Sequence, residues 1–297
     1  MQNPILDPES LYSKEDEGFI IIDKEVGPTS FGVVARVKGM LRSAGAPKRI
    51  KVGHSGTLDP FASGLLILFI GRNYTRKAAQ TLLGNKTYIA TLQLGISTDS
   101  YDHTGKPEQT SDAKPTHTQL LEAIAQFQGH TAQRPPMFSA KKINGKRLYT
   151  LAREGKTTDL PTHNVWMQIK LLSYHYPYVT IEVLCSKGTY IRALAHDLGL
   201  NLQTYAHLTQ LYRTQALNFA LPIPEMLNDP SPLTVDPQQL RSSLHRTNPA
   251  SVSLIDLNAG NIKSLPLLNS EQLDRSLPLD QRLKNYRSAL LKNWPFD

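Results

Sequence analysis

The chain has 297 residues, 40% of them hydrophobic, and 33 Lys and Arg against 25 Asp and Glu give a formal net charge of +8. Its one cysteine, Cys185, excludes an internal disulfide and a Cys-rich zinc site. No run of 18 apolar residues is present, which excludes a membrane-spanning helix. The opening MQNPILDPESLYSKEDEG is acidic and lacks arginine, unlike a secretory signal or an Arg-rich transit peptide, so a cytoplasmic, reducing location is expected. Charge is unevenly spread: residues 1–18 carry five acids and one lysine, residues 226–297 eight basic and seven acidic side chains, and residues 19–225 the remaining 24 basic and 13 acidic. A basic body between acidic and neutral ends fits a polyanionic partner, most often nucleic acid.

In chain order, GFIIIDKEVGPTS (18–30) is a short apolar run ending in a Gly27-Pro28 turn. It predicts a strand, a loop, and a helix capped near Thr29 or Ser30 that continues through SFGVVARVKGMLRSAG, where apolar residues recur at helical spacing. The basic link APKRIKV (46–52) leads into GHSGTLDPFASGLLILFIG (53–71), in which loop-formers feed an apolar, strand-like segment. Such an arrangement presents a side chain, and Asp59, pushed toward extended backbone by Pro60, is the candidate. TYIATLQLGISTDSYD (87–102) begins as an alternating strand and ends in a polar loop, where Asp99 and Asp102 read as turn residues.

THTQLLEAIAQFQG (116–129) predicts an amphipathic helix closed at Gly129. RPPMFSAKKINGKRLYTLAREGK (134–156) opens on a double proline, turns at Asn144-Gly145 and continues helically, with seven Lys or Arg against Glu154 alone. WMQIKLLSYHYPYVTIEVLCSKGTYIRALAHDLG (166–199) predicts two β-rich runs, a glycine turn, and a helix starting near Arg192. Beyond residue 225 the chain is proline-rich with a single glycine, Gly260, and the helix-like EQLDRSLPLDQRLKNYRSALLKNW is broken at Pro278. Strands and helices mix without a βαβ rhythm, which predicts an α+β fold. The expected organisation is an acidic extension over 1–17, a body over 18–225, and an extended, partly helical appendage over 226–297.

Each candidate side chain has a bland reading of its own. Asp59 could be a turn residue, His54 a loop residue with no second His at metal spacing, and Tyr88 strand packing. Arg192 could face solvent, and the 134–156 segment could be a solvated hairpin rather than a phosphate clamp. Taken in order they resemble one pattern. GHSGTLDPFASGLL is similar to the GH-[TSAG]-G-x-LDP-x-A-[TS]-G-x-L signature of the tRNA pseudouridine-55 synthase (TruB) family. GFIIIDKEVGPTS, NKTYIATLQLGISTDSYDHTG, RPPMFSAKKINGKRLYTLAREG and CSKGTYIRALAHDLG resemble the family's other segments, in the family's order, over about residues 18–215. Glu25 stands where most members have proline. The region after 225 does not resemble the small PUA domain of most bacterial members, so the chain looks like a short form lacking a recognisable one.

The resemblance implies the pseudouridine synthase fold: a mixed, mainly antiparallel sheet with flanking helices and a central catalytic cleft. It implies isomerisation of uridine-55 in the tRNA T-loop, in which the C1′–N1 bond breaks, the uracil turns, and C5 bonds to C1′. That reaction requires no cofactor and no metal. It requires a carboxylate beside the glycosidic bond, and Asp59 is the match; attack on C1′, addition to C6 and removal of the C2′ proton all remain open for it. Arg192 matches the guanidinium that keeps the carboxylate charged, and Tyr88 the tyrosine that stacks on the target base. Tyr190 and Leu211 match positions lining the uracil pocket, and His54 the ring that enters the loop where the extruded base had been. Lys24 matches a basic residue that supports the local fold. Lys141, Lys142, Lys146 and Arg147 would clamp RNA as part of a thumb-like segment over 134–156. The implied partner is the tRNA T-arm stem-loop, with a monomer and no membrane expected. The alternative is a non-catalytic tRNA-binding or RNA-folding protein on the same fold.

Overall fold

In a computed structural model, residues 11–81, 84–139, 142–143, 146–148, 160–217, 219–221, 251–255, 262–269 and 271–292 are described. The elements run β1 (Gly18–Lys24), α1 (Ser30–Ser43), β2 (Val52–His54), β3 (Ser63–Ile70), α2 (Arg72–Thr81), β4 (Lys86–Leu94), β5 (Ile96–Thr98) and β6 (Pro107–Thr110). They continue with α3 (His117–Ala125), β7 (Gly129–Gln133), β8 (Lys142–Ile143), β9 (Lys146–Arg147), β10 (His163–His175), β11 (Tyr178–Cys185) and α4 (Ile191–Asn201). Last come β12 (Ala206–Ala216), β13 (Phe219–Ala220), β14 (Ser251–Ile255), β15 (Ile262–Pro266) and α5 (Leu279–Ala289). Strands and helices alternate irregularly, as the sequence predicts, and the architecture is α+β.

The described residues fall into two compact units. The first draws on described residues within Met1–Gly84, Arg213–Pro222 and Thr247–Asp297, the second on those within Asn85–Tyr212. The boundary crosses β12, whose residues through Tyr212 belong to the second unit and whose last four belong to the first.

In the first unit, β3 is buried along all eight residues, which accounts for its uninterrupted apolar sequence. It pairs antiparallel with β1, Gly18 opposite Ile70 and Lys24 opposite Gly64, and with β2, His54 opposite Leu68. It also pairs with β12. At that contact Gly64 sits at φ +101°, and a side chain there would strike the backbone of Arg213, so the approach requires glycine. Thr29 caps α1 by accepting the Gly32 N–H at 2.8 Å, and Val37, Met40 and Leu41 of that helix pack into the core with Ile20, Ile22, Leu66 and Leu68.

The tail returns to this same core. Leu268, Leu273, Leu283, Tyr286 and Ala289 are buried in it. Phe19 and Leu291 exchange two backbone hydrogen bonds of 3.0 Å each, and the Leu268 N–H donates to Ile21 O at 3.0 Å. The helical pattern seen across 271–294 resolves into a 3₁₀ turn at Glu271–Leu273 and α5, which starts directly after Pro278. Proline terminates one segment and is tolerated at the head of the next.

The second unit is a ladder in the order β12–β4–β11–β10–β7. β4–β11, β11–β10 and β10–β7 are antiparallel. α3 starts on a capping box between Thr116 and Gln119, buries Leu120, Ala123 and Ile124, and lies against α4 and β10. β8 and β9 form a two-residue ladder, Lys142 opposite Arg147 and Ile143 opposite Lys146. The Asn144-Gly145 dipeptide expected at its turn lies outside the described residues, as do residues 149–156, where the sequence predicts helix.

Candidate active site

The loop that carries Asp59 leaves β2 and enters β3, so its far end is anchored to a strand buried along its whole length. Four groups hold it. Ser30 Oγ donates to Leu58 O at 3.0 Å and accepts the Leu58 N–H at 2.8 Å. The Gly27 N–H donates to Pro60 O at 2.7 Å. Lys24 Nζ donates to Ala62 O at 2.6 Å and to Glu25 O at 2.7 Å. Arg213 Nε donates to Leu65 O at 2.7 Å, while its Nη2 reaches Gly56 O at 3.4 Å. Lys24 and Arg213 are 1% and 0% exposed, interior cations whose hydrogen bonds go to backbone oxygens; Arg213 Nη1 is buried with no hydrogen-bond partner among the described residues. Lys24 can make its contact because the β1–β3 register puts it opposite Gly64, two residues from Ala62.

Electrostatics in this unit follow from burial. Desolvation lowers Lys24 to about 8; the Asp59 charge opposes that shift and the Arg213 charge adds to it. His54 is held below its ordinary value by burial first and by the Arg213 charge second. Its Nδ1 accepts the Gly56 N–H at 3.2 Å, which fits a neutral imidazole. Asp59 itself is half-buried. Lys24, His54 and Asp59 therefore share one loop environment. Nothing in the sequence singles out Arg213, because the LYRT tetrapeptide carries no local sign that its guanidinium is interior.

The remaining candidates lie in the second unit. Tyr88 stands in β4 opposite Val183, 7% exposed. Leu211 stands in β12, 8% exposed. Tyr190 is the half-buried residue preceding α4. The amide side chain of Gln133 clasps its backbone, accepting the Tyr190 N–H at 2.8 Å and donating to Tyr190 O at 3.0 Å.

Arg192 occupies the first turn of α4 and is 5% exposed, not solvent-facing. Its Nη1 donates to Ser100 O at 2.9 Å and lies 3.4 Å from Asp102 Oδ2, and its Nη2 donates to Phe138 O at 2.8 Å. Asp102 is thus more than the turn residue that the sequence suggests: it is a buried carboxylate beside the guanidinium. Ser100 and Thr104 donate to its Oδ1 as well. Such a net fixes the plane of the guanidinium fork.

Lys141 lies outside the described residues. Of Lys142, Lys146 and Arg147 the backbone ladder is described and the side chains lie outside. Among the described residues, no group of three or more His, Cys, Asp and Glu is placed to hold a metal ion, and no helix is long and apolar enough to cross a membrane.

Residues 42–191 match the model of the TruB family pseudouridylate synthase, N-terminal domain. A tRNA pseudouridine synthase B of Protochlamydia amoebophila is 47% identical over 205 residues, covering 69% of this chain and 76% of that relative. The corresponding protein of Chlamydia felis is 42% identical over 205 residues, covering 85% of the relative. Among solved structures, a Cbf5-Nop10-Gar1 complex matches with a TM-score of 0.51 at 29% identity. It covers 68% of this chain, and the match spans about half, 49%, of the solved chain.

Proposed function

The chain belongs to the TruB family of pseudouridylate synthases, and from that premise we propose that it isomerises uridine-55 in the T-loop of tRNA to pseudouridine, with Asp59 as the group acting at the glycosidic bond. The tRNA substrate is supported by relatives named tRNA pseudouridine synthase B at 42–47% identity. The role of Asp59 rests on one observation: its loop is fixed from four sides by Ser30, Gly27, Lys24 and Arg213. A carboxylate that must meet one carbon of an extruded nucleoside needs a backbone that does not yield, because misplacement by about an ångström costs orders of magnitude in rate.

In this reading Tyr88 stacks on the uracil, and Tyr190 and Leu211 line its pocket. Arg192 is the fixed cation of the reaction. His54, a neutral flat ring, takes the stacking place that the flipped uridine leaves. Lys24 positions the Asp59 loop. Lys141, Lys142, Lys146 and Arg147 supply phosphate contacts along the T-arm, which suffices as substrate.

Replacing Asp59 by Asn keeps the shape while removing the charge and turning one acceptor oxygen into a donor. Pseudouridine mapping of a tRNA transcript with Asp59→Asn is expected to show no product at position 55, with tRNA affinity within a few-fold of the parent. Normal turnover by that variant would remove Asp59 from the reaction, and product at a uridine other than 55 with the parent protein would refute the choice of site.

A further inference from the structure

Tyr101 adopts φ +63°. For a bulky residue this left-handed backbone is a strained state that its surroundings must enforce. The backbone is held on both sides: the Tyr101 N–H donates to Thr98 O at 3.1 Å, and Tyr101 O accepts the Leu208 N–H at 3.0 Å. Its ring lies flat on the ring of His196, with centroids 3.9 Å apart and planes within 13°. His196 sits in α4 four residues beyond Arg192, hence on the same helix face one turn on.

Both contacts that the strained loop gives to Arg192 flank Tyr101. Ser100 O accepts from its Nη1 at 2.9 Å, and the Asp102 carboxylate lies 3.4 Å from the same nitrogen. The loop therefore grips α4 at two successive turns, by polar contacts at Arg192 and by a ring stack at His196. Relaxing Tyr101 to negative φ would rotate the peptide units that carry Ser100 O and Asp102. Among the described residues His196 Nδ1 is buried without a hydrogen-bond partner, and the contact the histidine makes with the loop is through its ring face.

We infer that the Tyr101–His196 stack is a positioning device for Arg192, locking the strained Ser100–Asp102 backbone so that the guanidinium keeps one orientation. The inference rests on the reading of Arg192 as the fixed cation of the reaction. Neither ring is assigned any contact with substrate.

The test is single-turnover kinetics on the full-length chain with a tRNA transcript, alongside tRNA affinity and thermal unfolding. His196→Ala and Tyr101→Leu are expected to lower the rate constant about tenfold or more while leaving affinity within twofold, a loss of about 1.4 kcal/mol in barrier terms. His196→Phe and Tyr101→Phe, which keep a flat ring, are expected to recover most of the rate. Should Tyr101→Leu fail to fold, Tyr101→Gly removes the ring while accepting the backbone angle, and the same loss is expected of it. Arg192→Lys separates the two claims. If it slows the reaction at least 100-fold and His196→Ala does not slow it, the positioning role is overturned and that of Arg192 stands. If Arg192→Lys spares the rate and weakens tRNA binding, both are overturned. A rate loss in His196→Ala that tracks lost stability and that His196→Phe does not rescue also overturns the inference, because it would mark a purely structural residue.

Discussion

Burial pushes the Asp23 carboxyl up to about 7, with the Glu25 charge adding to the shift and the Gly64 N–H and the Lys24 charge opposing it. A carboxyl whose pKa rises on folding adds stability below its unfolded value of 3.8, and that contribution is lost as pH climbs through about 7. Lys24 runs the other way. Its pKa is lowered to about 8, so what it contributes is present above 10.5 and lost as pH falls through about 8. At neutral pH the fold therefore carries a strained pair at the end of β1, beside the loop of the candidate active site. Asp23→Asn removes one half of that strain. Its melting temperature relative to the parent is expected to rise steadily between pH 4 and pH 7 and to level off above that window. A constant difference across the window would show that Asp23 does not titrate within it.

At the scale of elements, α5 ties the tail to the start of the chain. Tyr286 donates to Asp16 O, and Arg287 pairs with the Asp16 carboxylate through Nε at 2.7 Å and Nη2 at 2.9 Å. Burial pushes Asp16 up, but the hydrogen bonds from Arg287 and from the Ser13 N–H, with the charges of Arg287 and Lys292, hold it below the usual carboxylate range. The Asp16 side chain is 2% exposed and that of Arg287 46%, so solvent screens one partner only. Arg287→Ala strands a buried carboxylate. It is expected to cost about 1–2 kcal/mol, read by urea unfolding at pH 7. Because the folded pKa of Asp16 is depressed, its contribution is present above 3.8 and disappears as pH falls through the lowered folded value. The gap between parent and variant should therefore close at low pH, and a gap independent of pH would assign the loss to packing of the arginine stem.

For the whole molecule, the packing of Leu268, Leu273, Leu283 and Tyr286 into the core of the first unit means that deleting the tail would remove core and not only surface. The contribution of charge to RNA affinity is better measured in the intact chain. Each phosphate contact contributes roughly −0.7 to −0.9 to the slope of log affinity against log salt. Joint replacement of Lys141, Lys142, Lys146 and Arg147 by Gln is expected to flatten that slope by up to about 3, whereas replacing Arg275, Arg282 and Lys284 of the tail should leave it unchanged. The reverse pattern would make the tail the RNA-binding module.

Much of this protein is legible in its sequence because the relevant signals are local. Turn-formers ahead of an apolar run place Asp59 at the mouth of β3, helical spacing gives α1 and α3, and the ordered motifs give the family. Tertiary structure alone decided the rest. Ser100 meets Arg192 across 92 positions, Arg213 reaches Gly56 across 157, and Arg287 reaches Asp16 across 271. No local pattern encodes such pairs, because they depend on strand register and on which helix face turns inward. Asp102 therefore reads as an ordinary turn residue, and Arg213 carries no signal at all, until the folded chain brings their partners to them.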